Sequence, residues 1–191
     1  MEAPTPVAEC CVYDSVAYPG RPFAQTHPDR LATMGALFGV EAAPISSARV
    51  LELGCGDGEN LLPMAVALPD ATFVGVDAAE GAIARGMQIA DDLALRNITL
   101  SAETIESFDR SGPFDFVIAH GVYSWMAPEV RDSLLALCVR VLSATGIGYV
   151  SYNARRAPPC VRASGRCCAS TPRGSRIPTS GCTRRGCCCP S

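Results

Sequence analysis

Lysine is absent from this 191-residue chain, so all 16 of its basic residues are arginine. Lysine codons are AT-rich, and their disuse fits a GC-rich genome. No apolar segment follows a basic N-terminus, which excludes a recognisable secretory signal. No uninterrupted apolar run is long enough to span a bilayer. Cysteine is plentiful, at 11, but lacks the paired C-x-x-C spacing of a structural zinc site, so no metal is expected. Without a secretion signal a disulfide scaffold is not expected either. Basic residues are thin where they would matter for nucleic acid. Residues 1–154 hold all 19 acidic residues and 8 arginines, whereas residues 155–191 hold the other 8 arginines and no acid. The formal net charge of −3 averages these two parts. An acidic body argues against a general nucleic-acid surface. These absences leave a cytoplasmic chain with neither a membrane nor a nucleic-acid partner.

Helical and strand-like segments alternate through the body. Thr26-His27-Pro28-Asp29 opens the first helix: Thr26 can cap it, Pro28 tolerates an early helical position, and Asp29 suits the positive end of the helix dipole. That helix is expected to stop near Gly39. Residues 49–53 read as a strand, 60–68 as a helix, 72–76 as a strand ending at Asp77, 79–95 as a helix and 98–100 as a short strand. Phe114 to Ala119 is the continuous apolar run of a strand buried on both faces. Residues 128–142 have helical apolar spacing, and 147–152 make a fifth strand. This pattern predicts an α/β fold, a doubly wound parallel sheet of Rossmann-like type. Ligands of such sheets sit beyond the carboxyl ends of the strands, at the topological switch point. Gly54 to Gly58, Asp77, Glu103 to Ile105 and Ala119 to Trp125 all follow strand ends and are expected to converge on one crevice.

The run Val50-Leu51-Glu52-Leu53-Gly54-Cys55-Gly56-Asp57-Gly58 carries the chemistry. Its glycines reach backbone conformations closed to other residues and let a ligand approach the main chain. The helix that follows presents unpaired N–H groups. A dinucleotide site expects G-x-G-x-x-G on a pyrophosphate. Here the spacing is G-x-G-x-G and Glu52 precedes it, which repels a pyrophosphate but suits a cationic ligand. S-adenosylmethionine has no phosphate, bears a sulfonium, and carries an α-amino group that needs an acceptor. Asp77, about 20 residues on, is positioned to accept hydrogen bonds from ribose hydroxyls. Cys55 lacks an adjacent base, so thiolate chemistry is not expected of it.

This combination resembles the class I S-adenosylmethionine-dependent methyltransferases over about residues 48 to 152. A narrower resemblance lies in Tyr13-Asp14, Tyr18-Pro19, Pro22-Phe23, Gln25 to Leu31, Ala119 to Trp125 and Tyr149 to Asn153. These are similar to the group that carries a methyltransferase regulatory domain, some members of which are protein-lysine methyltransferases. The resemblance implies S-adenosylmethionine as cofactor and, as methyl acceptor, a protein, with lysine the candidate side chain, or a small molecule. By the same resemblance Gly54, Cys55, Gly56 and Gly58 line the methionine and ribose side, with Glu52 beside them. Asp77 holds the ribose, Thr104 and Ile105 flank the adenine, and Glu103 is an alternative adenine contact. His120 is placed where it meets both cofactor and acceptor. His120, Tyr123 and Trp125 are the catalytic candidates: a proton acceptor or relay in His120 or Tyr123, and aromatic rings for a substrate ammonium in Tyr123 and Trp125. The bland alternative is that Tyr123 and Trp125 only pack over the sheet edge and that His120 is a satisfied buried histidine. The aromatic N-terminal residues Tyr13, Tyr18 and Phe23, with His27, are expected to form a lid.

Three parts are therefore expected: a lid segment and helix (1–47), the cofactor-binding core (48–153) and a Cys/Arg-rich tail (154–191). The tail loses all periodicity and is expected to be disordered. Its end matches a prenylation signal only nominally, because neither middle residue is aliphatic. Leucine codons of a GC-rich gene read one base later become cysteine codons, so translation in a shifted frame after Asn153 is the expectation that fits best. The resembling fold completes its sheet with two more strands and then the regulatory domain. Both are expected to be missing here, which leaves an open sheet edge. The competing readings are a catalytically inactive truncated fragment that keeps its cofactor-site residues and, less favoured, an NAD-dependent oxidoreductase. The oligomeric state is left open.

Overall fold

A computed structural model of the chain describes residues 20–109 and 112–153. Tyr13, Tyr18 and the tail at 154–191, with its shifted-frame reading, lie outside the described residues. Among the described residues four α-helices and five strands follow one another: α1 (Pro28–Leu37), β1 (Arg49–Leu53), α2 (Leu61–Ala67), β2 (Thr72–Asp77), α3 (Glu80–Asp92), β3 (Ile98–Ala102), β4 (Phe114–Ala119), α4 (Pro128–Val141) and β5 (Leu142–Val150). No helix among the described residues is long and apolar enough to cross a membrane.

All neighbouring strands pair in parallel, in the order β3-β2-β1-β4-β5. The chain winds outward from β1 to β3, then returns to the other side of β1 with β4. The switch point therefore lies between β1 and β4, as the alternation of elements predicts. The period of two along a strand sorts side chains onto two faces. Val50, Phe73, Phe116 and Ile118 pack with Leu31, Leu61, Met64 and Ile83, from α1, α2 and α3. Leu51, Leu53, Val76 and Val117 pack with Leu134, Leu137, Cys138 and Val141 of α4, and with Phe108 from the link between β3 and β4. Helices thus cover both faces, and β1 and β4 are apolar apart from Arg49, Glu52 and Asp115. Leu134 is fully buried, which is worth about 1.5–3 kcal/mol of hydrophobic transfer.

Two local expectations are corrected. The cap of α1 is His27, whose Nδ1 accepts from the backbone N–H of Asp29 at 3.2 Å. Thr26 sits one residue too early and is fully buried, its hydroxyl donating to the Phe23 carbonyl at 2.8 Å. The fifth strand begins at Leu142, not at Ile147, because Leu142 pairs with Phe114 before the register shifts and Ile147 pairs with Phe116. The polar stretch after Leu142 carries no apolar pattern to announce a strand. It is held by Ser143 Oγ donating to Asp115 Oδ1 at 3.2 Å. The same irregularity turns Phe114 to the α4 side, although two residues on Phe116 faces the other helices.

Candidate functional site

The turn after β1 is shaped by the strand beside it. Gly54 and Cys55 both donate their backbone N–H to the Val76 carbonyl, at 2.7 and 3.1 Å. Gly54 has φ +75° and packs against Val122, which follows β4, so a Cβ there would collide with the valine side chain. Gly56 also lies in the left-handed region, at φ +57°, but has open space where a Cβ would stand. Its N–H donates to Asp77 Oδ2 at 2.8 Å, and the other carboxylate oxygen accepts from Ala79 N–H at 2.9 Å. Asp77 therefore ties the glycine turn to the start of α3. Each of its oxygens retains acceptor capacity for a further donor. Gly58 donates to the Cys55 carbonyl and accepts from Leu61 and Leu62, which launches α2 directly from the turn.

Glu52 lies beneath this turn and is only 3% exposed. Oε1 accepts from Asn60 Nδ2 at 2.8 Å, whereas Oε2 is buried without a hydrogen-bond partner among the described residues. Burial pushes its carboxyl up to about 8; the Asn60 hydrogen bond opposes the rise and the nearby Asp77 carboxylate adds to it. Cys55 is also buried, and its thiol is raised well above the ordinary range, first by burial and then by Glu52 and Asp77. That is the environment of an inert thiol.

The remaining sequence-selected residues occupy three surroundings. Glu103 is half-buried and donates its N–H to the Asp77 carbonyl at 3.0 Å. Thr104 closes a short turn with Ser107, and Ile105 packs on the α4-side core. His120 stacks on Phe23, with ring centroids 3.9 Å apart, and lies nearly parallel to Tyr149 at 6.0 Å. Its Nε2 is 3.3 Å from Gln25 Nε2, an arrangement that needs an unprotonated Nε2. Burial, reinforced by Arg21, lowers its pKa from the ordinary 6.5. Tyr123 stands elsewhere, with the Arg131 guanidinium 5.5 Å from its ring centre and Tyr152 edge-on at 6.4 Å. Arg131 also donates to the Tyr123 and Ser124 carbonyls, at 3.0 and 3.2 Å. A protein cation thus lies over the Tyr123 ring, the same ring expected to face a substrate ammonium. Trp125, at the end of the same turn, is 45% exposed.

Asn60 and Arg131 are two participants not expected from the sequence, although Asn60 carries a signal as an amide immediately before an apolar helix; with Thr26, expected only as a helix cap, they form the hydrogen bonds that brace the two loops. The residues matched by the methyltransferase domain family run from 50 to 146, spanning β1 to β5 and every glycine of the turn. The chain belongs to the methyltransferase domain family. It is a class I, S-adenosylmethionine-dependent type by fold and family together. This methyltransferase domain is 43% identical over 148 residues to the uncharacterized protein RP789 of Rickettsia prowazekii (strain Madrid E), covering 77% of this chain and 27% of that protein. The structure of PKMT2 from Rickettsia typhi in complex with AdoHcy is similar at TM-score 0.69 and 40% identity, covering 71% of this chain and 26% of that one. A tRNA (guanine-N(7)-)-methyltransferase of Chloroflexus aggregans is 45% identical over 74 residues, which is 38% of this chain and 31% of that enzyme. The chain spans about a quarter of the length of the two Rickettsia proteins.

Proposed function

We propose that this methyltransferase domain binds S-adenosylmethionine beyond the carboxyl ends of β1, β2 and β4 and transfers its methyl group to a protein acceptor, at a lysine side chain. The observation that carries the cofactor reading is the pairing of a buried, half-satisfied Glu52 with a left-handed glycine turn tied to Asp77. A pyrophosphate would meet the Asp77 carboxylate there, with the acidic Glu52 beneath it. A cationic amino group would supply the donor that Glu52 Oε2 lacks, and ribose hydroxyls would find spare acceptor capacity on Asp77. The open space at Gly56 suits a ligand lying against the main chain. In this reading the backbone of Gly54, Cys55, Gly56 and Gly58 lines the methionine and ribose side. Thr104 and Ile105, with Glu103, flank the adenine, and residues 48–153 form the working core. Residues 20–47 contribute the described part of a lid, supported by Phe23 lying on His120.

When bound, the cofactor supplies a methyl carbon already activated for displacement by its sulfonium. The residues of this chain are left with alignment and proton handling. His120, its pKa lowered by burial, has in Nε2 the one nitrogen that can accept a proton from an incoming ammonium, once the Gln25 amide 3.3 Å away gives way. Trp125 keeps ring surface toward solvent, where a lysine ammonium can be held by cation–π attraction. The acidic balance of residues 1–154 favours a cationic acceptor over a nucleic acid. A cytoplasmic location completes the proposal.

Calorimetric titration with S-adenosylhomocysteine and with NAD tests the cofactor; binding of NAD alone would overturn it. Transfer of labelled methyl to a lysine-rich protein tests the acceptor. Because the chain contains no lysine, methyl-lysine recovered after hydrolysis cannot arise from self-modification. Cofactor binding without transfer to protein or small-molecule acceptors would leave the inactive-fragment reading standing.

A further inference from the structure

We propose that Asn60 is a positioning residue that couples Glu52 to the segment 23–26, so that a cationic group meeting Glu52 tightens this segment over the site. The proposal rests on the reading of Glu52 as the partner of the cofactor amino group.

The orientation of the Asn60 amide is settled by what faces it. Phe23 N–H, 2.9 Å away, can only donate, so the atom opposite it must be Oδ1. The amide nitrogen then points its two hydrogens at Glu52 Oε1, at 2.8 Å, and at Thr26 Oγ1, at 3.0 Å. Thr26 spends its own proton on the Phe23 carbonyl at 2.8 Å. The Asn60 amide, the Thr26 hydroxyl and the Phe23 N–H all have their donors used, within a site where Thr26 is 0% and Asn60 5% exposed. The unsatisfied atom is Glu52 Oε2. A cationic donor arriving there favours release of the Glu52 proton to solvent, and the Asn60 N–H then donates to a charged acceptor instead of a neutral one. Charge-assisted hydrogen bonds are roughly twice as strong as neutral ones. The gain is passed to the groups that the same amide holds, Phe23 N–H and Thr26.

Phe23 carries the effect across the switch point. Its backbone is held by Asn60 at the β1 side, while its ring lies on His120 after β4, with Arg21 5.4 Å from the ring centre. Tightening the segment therefore orders the histidine assigned to proton handling.

Hydrogen–deuterium exchange of the peptide covering residues 20–27, with and without S-adenosylhomocysteine, tests the coupling in the full chain. In the unmodified protein the ligand is expected to slow exchange of this peptide by roughly tenfold, the scale of one hydrogen bond. Asn60→Ala, and the similarly sized Asn60→Leu should the first fail to fold, are expected to bind the ligand yet show little slowing. Glu52→Gln is expected to weaken binding and to lose the slowing at saturation. Ligand binding without slowing in the unmodified protein, or equal slowing in a folded Asn60 variant, overturns the coupling and leaves the cofactor reading intact. Failure of S-adenosylhomocysteine to bind at all overturns both.

Discussion

Replacing Glu52 with glutamine should change how stability depends on pH, and the size of the change follows from burial. Burial, with the side chain 3% exposed, and the nearby Asp77 carboxylate raise its carboxyl from 4.5 to about 8, against the opposing hydrogen bond from Asn60. A raised folded-state pKa means that the folded protein holds a proton that the unfolded chain has released. The stabilisation is fully present below pH 4.5 and is lost as pH rises toward 8. Across that window one group costs about 1.4 kcal/mol per pH unit, hence about 2.7 kcal/mol between pH 5.5 and 7.5. In a domain of this size that corresponds to roughly 5–10 °C in melting temperature. Glutamine keeps an acceptor for Asn60 and cannot titrate. Thermal melts of the ligand-free protein across this range, in phosphate buffers of constant ionic strength, are expected to show the unmodified protein losing more stability than Glu52→Gln by that margin. Taking the difference between the two proteins cancels other titrations. His120 among them acts with opposite sign, because its lowered pKa contributes stability that disappears as pH falls. Parallel pH profiles for the two proteins would refute the argument that Glu52 is held neutral by burial. Saturating S-adenosylhomocysteine is expected to flatten the loss in the unmodified protein, since an ammonium at Oε2 favours the ionised carboxylate.

Other outcomes follow from the same geometry. Asp77→Asn keeps the size of a side chain that accepts from Gly56 and Ala79 but turns one oxygen into a donor; calorimetry is expected to show at least a tenfold loss of S-adenosylhomocysteine affinity, about 1.4 kcal/mol, with near-native circular dichroism. Gly54→Ala and Gly56→Ala both strain a left-handed backbone, by about 1–2 kcal/mol, yet only the former drives a methyl into Val122; denaturant melts are expected to rank Gly54→Ala clearly less stable. Arg131→Met removes two hydrogen bonds to the Tyr123 and Ser124 carbonyls; steady-state kinetics are expected to show a raised KM for the methyl acceptor with cofactor affinity unchanged. Leu134→Ala, at a fully buried position of α4, is expected to cost about 2–5 kcal/mol in chemical denaturation.

Much of the fold was legible because its signals are local. The apolar run Phe114 to Ala119 needs both sheet faces covered, and the regular exchange of strand and helix leaves a parallel sheet as its economical solution. The expected starts of β1, β2 and β4 match the observed ones, since a strand buried on both faces announces itself by composition. The start of β5 escaped notice because its first residues pair through a shifted register that no apolar pattern records. The cap of α1 was misassigned by one residue for a similar reason: Thr26 has the chemistry of a cap, but a long-range contact with Asn60 claims its hydroxyl.

The candidate site divides along the same line. Sequence alone determined the glycine turn, the acidic residues that flank it and the strand ends at which they meet, because spacing along one chain specifies torsion and proximity over short distances. Tertiary structure alone decided which partners those residues have. It buried Glu52 with one oxygen unpaired, laid Phe23 on His120 from 97 positions away, and set Arg131 over the Tyr123 ring. Hydrogen bonds and ring contacts between distant segments depend on how helices seat on the sheet, and that seating is a property of the packed whole.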